Sequence, residues 1–96
     1  MIQSFADKTT ADLFQERNTR AARHIPKALW RVVQRRLKML DVALRVHDLE
    51  SPPGNRLKGL KGQMRGRYSM RVNDQYRVTF RWEDGHAFEV AVEDYH

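Results

Sequence analysis

Apolar residues recur every three or four positions through Ile25, Leu29, Val33, Leu37, Leu40 and Leu44, the repeat of a helix with one buried face. The spacing predicts a helix from Ile25 to about Val46, with Pro26 in the first turn, where a missing N–H matters least. Trp30, Met39 and Val42 widen the stripe toward the core or a partner. Lys27, Arg31, Arg35, Arg36, Lys38 and Arg45 form the other face, either solvated or turned to ribosomal RNA or an acidic partner segment.

The period then changes from helical to alternating. Tyr68, Met70 and Val72 share one parity, and Tyr76, Val78, Phe80 and Trp82 share another row after the polar break Asn73-Asp74-Gln75. Two antiparallel, half-buried strands are predicted. If both apolar rows face one core, Val72 opposes Tyr76 and Met70 opposes Val78, which sets Arg71 against Arg77 and Arg67 against Arg81. Glu83-Asp84-Gly85 fits a three-residue hairpin loop with Gly85 left-handed, followed by a last strand whose inner row is Phe88, Val90 and Val92.

Earlier segments give weaker signals. Ile2 to Phe5 is expected to add a short strand sealing part of the sheet, and Asp7-Lys8-Thr9-Thr10 supplies N-caps for a helix of about two turns ending near Arg17-Asn18. Asn18 to His24 has no apolar period and reads as a mobile basic connection. Ser51-Pro52-Pro53-Gly54-Asn55 ends the helical region, and Leu57 and Leu60 anchor a short strand or loop. The expectation is an α+β fold: two helices from the N-terminal half packed on a small, largely antiparallel (mixed) sheet, in one domain spanning 1–96.

Charge sharpens this picture. Of 18 Lys and Arg residues, eight fall between Asn55 and Trp82 (Arg56, Lys58, Lys61, Arg65, Arg67, Arg71, Arg77 and Arg81) against the single acid Asp74. Like charges opposed across a ladder repel, so two stacked arginine pairs around Ser69 and Thr79 imply an anion between them. The alternative is neutralisation by Glu89 and Glu93, which fall on the same face as Arg77 and Arg81. A net charge of +6 and a pI near 10.2 favour a nucleic acid partner or an anionic surface. With no cysteine there is no disulfide, zinc–thiolate site or cysteine nucleophile. Gly59, Gly62 and Gly66 are spaced too loosely for a phosphate-loop or dinucleotide fingerprint, and His24, His47 and His86 show no metal spacing, so neither cofactor nor metal is expected. The absence of a signal peptide or membrane span makes the cytoplasm the default location.

The run Arg71-Val72-Asn73-Asp74-Gln75-Tyr76-Arg77-Val78-Thr79-Phe80, the opening Met1-Ile2-Gln3-Ser4-Phe5 and the closing Glu93-Asp94-Tyr95-His96 resemble the HigB toxins, within the RelE/ParE superfamily of bacterial toxin–antitoxin systems. The resemblance covers essentially the whole chain. It implies a RelE-like fold and a ribosome-dependent mRNA endonuclease that inhibits translation. It also implies a helix-turn-helix, HigA-like antitoxin as partner, with operator DNA met only through the antitoxin complex and no membrane. Asp94, Tyr95 and His96 match the family's C-terminal catalytic group, Arg77 its sheet arginine and Lys61 its basic loop residue; Lys58 stands where some members carry histidine. A lysine there can bind phosphate but is a poor base near neutrality unless its pKa is strongly lowered. Around this set, Arg56, Arg65, Arg67, Arg71 and Arg81 are the expected RNA-binding residues. The chemistry implied is attack of an RNA 2′-hydroxyl on the adjacent phosphate, with His96 as general acid or proton shuttle because imidazole titrates near neutrality. The alternatives left open are a ParE-like gyrase poison and a non-catalytic basic nucleic-acid-binding regulator.

Overall fold

The computed structural model describes residues 1–60 and 66–95; Lys61, Arg65 and His96 lie outside that set. Two helices cover one face of a four-stranded antiparallel sheet. Helix α1 spans Lys8–Phe14, α2 spans Trp30–Val42, and the strands are β1 (Lys58–Gly59), β2 (Arg67–Arg71), β3 (Tyr76–Glu83) and β4 (His86–Asp94), in the order β1-β2-β3-β4. The core joins Leu13 of α1 and Val33, Leu37 and Leu40 of α2 to Met70, Val78, Phe80 and Val90 of the sheet, all fully buried.

The parity reading of the central hairpin holds. Arg67 pairs with Arg81, Tyr68 with Phe80, Ser69 with Thr79, Met70 with Val78 and Arg71 with Arg77. Asn73 fixes the turn by accepting from the backbone N–H groups of Gln75 (2.9 Å) and Tyr76 (2.7 Å), the side-chain bonding that suits asparagine to turns. The N-terminal segment bonds in parallel along β4, at Ile2 with Ala87 and Phe5 with Val90, which makes the sheet mixed at that edge.

Three expectations are corrected. Helix α1 ends at Phe14, before Glu16 enters the left-handed region at φ 58°. Residues 18–24 are fastened in place: the buried Asp12 carboxylate accepts from Lys8 Nζ and Thr19 Oγ1, both at 2.6 Å, and the Thr9 hydroxyl donates to the Ala21 carbonyl at 2.8 Å. The long helix is shorter than its apolar repeat. A 3-10 turn at Lys27–Leu29 follows Pro26, α2 runs only from Trp30 to Val42, and Val42 and Leu44 are 74% and 81% exposed.

The last hairpin departs from expectation in a way that shapes the site. Glu83 pairs directly with His86, so the loop has two residues, Asp84 and Gly85, with φ 52° and 80°, the positive pair of a type I′ turn. That register pairs Arg81 with Phe88 and sends Phe88 to the outer face. A bulge then restores the inner row: between Thr79 and Arg81 the register shifts, Glu89 sits at φ 54°, and Val90 and Val92 return to the core.

Candidate nucleic-acid interface on the outer sheet face

Alternation along the strands puts Lys58, Arg67, Ser69, Arg71, Arg77, Thr79, Arg81 and Glu93 on the face not covered by helices. Arg77 stands near its centre and is held by a built seat. Its Nε donates to Ser69 Oγ at 2.8 Å, and its Nη2 donates to the carbonyls of Arg56 at 2.7 Å and Ser69 at 3.3 Å. Ser69 is fully buried and Arg56 has φ 44°, a left-handed turn that aims its carbonyl at the guanidinium. Behind Arg56, the buried Asn55 donates to the Leu49 carbonyl at 3.1 Å and pins the Pro-Pro-Gly loop. Desolvation lowers the pKa of Arg77 from the ordinary arginine value, with Arg71 and Arg56 pushing the same way and Tyr95 opposing. Arginine nevertheless remains charged throughout the accessible pH range. Among the described residues, Nη1 meets no acceptor and stays available to a ligand oxygen.

Tyr95 completes this end of the face. Its backbone N–H donates to the Gln75 carbonyl at 2.7 Å, and its half-exposed ring lies 5.9 Å from the Arg77 guanidinium. Asp94 is placed differently. It is the ladder partner of Tyr76, so it leaves the strand on the opposite side from Tyr95, and its carboxylate accepts from Gln75 Nε2 at 2.9 Å. The structure therefore brings Arg77 and Tyr95 together and sets Asp94 against the turn that carries Gln75. Lys58, exposed on β1, is two strands from β3, which carries Arg77, and is the ladder partner of Ser69, which Arg77 bonds. His96, Lys61 and Arg65 were expected in the same site and lie outside the described residues.

The four sheet arginines divide into two environments. Arg71 pairs with Asp74 at 2.5 Å, and its carbonyl accepts from Arg36 Nε at 3.0 Å, which draws Arg36 off the solvated helix face where its sequence position had placed it. At the other end, Arg67 meets Glu89 at 3.2 Å, while Arg81 meets Glu89 at 3.5 Å and Glu83 more closely. The neutralisation reading applies at both ends: acids offset Arg67, Arg81 and Arg71, and Glu93 is the ladder partner of Arg77 on the same face. Sequence reasoning missed Ser69 and the Arg56 carbonyl as the seat of Arg77; the ladder pairing of Ser69 beside Arg77's row was the available signal.

A groove of about 500 Å³ lies elsewhere, along the outer side of α2 at Glu16, Arg31, Arg35, Lys38, Met39 and Val42. A sheet face lined with arginines suits the phosphates of a polyanion strand. Among the described residues no group of three His, Asp or Glu is placed to hold a metal, and no helix is long and apolar enough to cross a membrane.

Comparison with known proteins gives the family. Residues 3–96 match the model of HigB-like toxins, described as the RelE-like toxin of the type II toxin–antitoxin system HigB. The chain belongs to this family. It is 37% identical over 93 residues to Toxin HigB-1 of Vibrio cholerae, covering 97% of this chain and 96% of that one. It is 31% identical over 96 residues, all of both chains, to Endoribonuclease HigB of Proteus vulgaris. Among solved structures, YoeB in the YoeB–YefM complex from Staphylococcus aureus superposes with a TM-score of 0.62 at 18% identity, over 100% of this chain and 98% of that chain. The YoeB dimer from the same organism gives 0.59 at 20% identity, over 99% and 97%. These two likenesses show that the chain shares the fold of YoeB, in agreement with the α+β architecture expected from sequence. As a type II toxin the chain has an antitoxin partner.

Proposed function

We propose that this toxin cleaves mRNA on the ribosome, with the Arg77 end of the outer sheet face holding the scissile phosphate. The single observation that carries the reading is the seat of Arg77: three hydrogen bonds fix a cation on an open face while leaving one guanidinium edge unbonded among the described residues. The full-length likeness to a protein named an endoribonuclease supports the reaction class.

In the reaction the RNA 2′-oxygen attacks the adjacent phosphorus as its proton passes to a base, and the bond to the next nucleotide's 5′-oxygen breaks. The products are a 2′,3′-cyclic phosphate and a 5′-hydroxyl. Negative charge grows on the non-bridging oxygens, and a preplaced guanidinium stabilises it without reorganising. Arg77 supplies that charge, Lys58 on β1 and Lys61 add to it, and Tyr95 stacks on a base or hydrogen-bonds the phosphate. His96, following Tyr95 directly, gives the leaving 5′-oxygen its proton. Arg56 and Arg71 flank Arg77 and guide the backbone. No metal or cofactor enters this scheme.

The whole chain, 1–96, acts as one toxin domain in the cytoplasm. Its antitoxin is of the helix-turn-helix, HigA-like kind, and operator DNA is reached only through that complex. The test is induction of Arg77→Ala with mapping of mRNA 5′ ends. Wild-type protein yields new 5′ ends within translated codons; Arg77→Ala yields none while still folding, at a melting temperature lowered by the loss of its three hydrogen bonds but with no core cavity opened. New 5′ ends undiminished in Arg77→Ala would overturn the assignment, and damage to DNA in place of mRNA cleavage would favour a gyrase poison.

A further inference from the structure

The outer face carries a second aromatic–cation pair that the phosphate site does not use. Phe88 is turned out of the core by the two-residue turn at Asp84-Gly85, and the Glu89 bulge returns only the residues after it. There the Arg81 guanidinium lies over the half-buried ring at 4.5 Å, closer than Arg77 lies to Tyr95. The charge of this end is offset by Glu83 and Glu89, both bonded to Arg81, with Glu89 also bonded to Arg67. Glu89 holds a left-handed backbone, uncommon for a residue with a side chain, and its N–H donates to Ser4 Oγ at 2.9 Å, so the N-terminal segment secures the bulge.

Two chemistries follow along one strand. At the Arg77 end Asp74 offsets Arg71 and Glu93 faces Arg77 across the ladder, and it is the guanidinium edge left unbonded among the described residues that suits phosphate. At the Arg81 end two carboxylates pair with the arginine itself and discourage phosphate, and the arginine lies over an aromatic ring. Flat neutral surfaces of arginine and phenylalanine take unpaired bases by stacking. Four residues of strand rise separate Arg77 from Arg81, about 13 Å, which is room for an extended single strand to pass from one site to the other.

We infer that Phe88 and Arg81, framed by Glu83 and Glu89, form a stacking subsite for an unpaired nucleobase of the bound RNA, separate from the nucleotide whose phosphate Arg77 holds. The inference rests on the reading of this face as the mRNA site. The subsite makes cleavage depend on a base at a fixed distance from the cut, whatever that base is, because stacking is tolerant of base identity.

The experiment pairs a protein change with an RNA change. Ribosomes are programmed with an mRNA carrying one abasic nucleotide, moved in turn through positions flanking the cut, and toxin binding and single-turnover cleavage are measured for wild type and Phe88→Leu. Leucine keeps an apolar side chain under Arg81 and removes the ring. For wild type, one flanking position should lower affinity by about 5- to 150-fold when abasic, the range of a lost base–aromatic stack. Phe88→Leu should lose a similar factor on intact mRNA and be insensitive to the abasic nucleotide at that position alone. If wild type shows no such position, or if Phe88→Leu and the abasic change multiply independently, the subsite does not exist. If wild type neither binds nor cleaves any programmed mRNA, the reading of the face as an mRNA site fails first. A melting temperature for Phe88→Leu separates misfolding from loss of the stack, and Arg81→Lys, which removes the planar group at the same charge, should reproduce the abasic insensitivity.

Discussion

Removing the Ser69 hydroxyl tests the seat of Arg77 without touching the guanidinium. Ser69 is fully buried, and its Oγ accepts from Arg77 Nε at 2.8 Å; Ser69→Ala deletes that bond and leaves the two backbone acceptors, the carbonyls of Arg56 and Ser69, in place. A hydrogen bond to a charged group is worth about 1.5 to 3 kcal/mol. If all of it serves to hold Arg77 in its phosphate-binding position, cleavage should fall about 10- to 150-fold. Folding should suffer less, because a half-buried guanidinium released from the serine can turn toward water. The assay is single-turnover cleavage of ribosome-bound mRNA at subsaturating and saturating toxin, beside thermal unfolding. Repeating it in an Arg77→Lys background gives a double-mutant cycle, in which the serine change should add less than about 3-fold once the guanidinium fork is gone. Full activity in Ser69→Ala, or the same loss with and without the Arg77 fork, would refute the positioning argument.

Two further predictions concern the scaffold. Leu37 is fully buried between α2 and the sheet, so Leu37→Ala should lower unfolding free energy by about 2 to 5 kcal/mol in denaturant titration while the remaining folded protein still cleaves. The Asp12 pKa is lowered by hydrogen bonds from Lys8 and Thr19, so its carboxylate favours the folded state above the unfolded-chain value near 3.9 and loses that contribution as pH falls through the lower folded value. Asp12→Asn should therefore flatten the fall in stability below about pH 4 in acid unfolding curves, and a parallel fall in both proteins would show that Asp12 is not the source.

The central hairpin was legible because two apolar rows of fixed parity admit one register, and a slip by one residue would bury arginine. Helix α2 was legible in type and poorly in extent. Leu44 continues the helical count, yet the chain leaves the helix at Ala43, and the carboxylate of Asp48 accepts from the N–H groups of Leu44 and Arg45, a local bond that a periodicity count cannot weigh. The segment 18–24 looked unstructured because its anchors are polar: a buried aspartate collecting Lys8 and Thr19 leaves no apolar trace. The last hairpin hid two compensating one-residue shifts, the short Asp84-Gly85 turn and the Glu89 bulge. Together they preserve Val90 and Val92 in the core and move only Phe88 outward. A left-handed glutamate carries no sequence signal, since glycine is the residue that advertises such a position. Of the residues that the family resemblance grouped, Arg77 and Tyr95 lie together in the fold, and Asp94, the ladder partner of Tyr76, leaves the strand on the other side from Tyr95.

The central claim is that His96 performs proton transfer on RNA held by Arg77, and His96→Gln tests it most directly because it removes the imidazole while keeping the chain length. The measurement is the single-turnover rate of mRNA cleavage on programmed ribosomes, with ribosome binding and antitoxin binding recorded for the same protein. Positioned proton transfer is worth about 10² to 10⁴ in rate. The account predicts a loss in that range with both binding constants nearly unchanged; cleavage at the wild-type rate would contradict it.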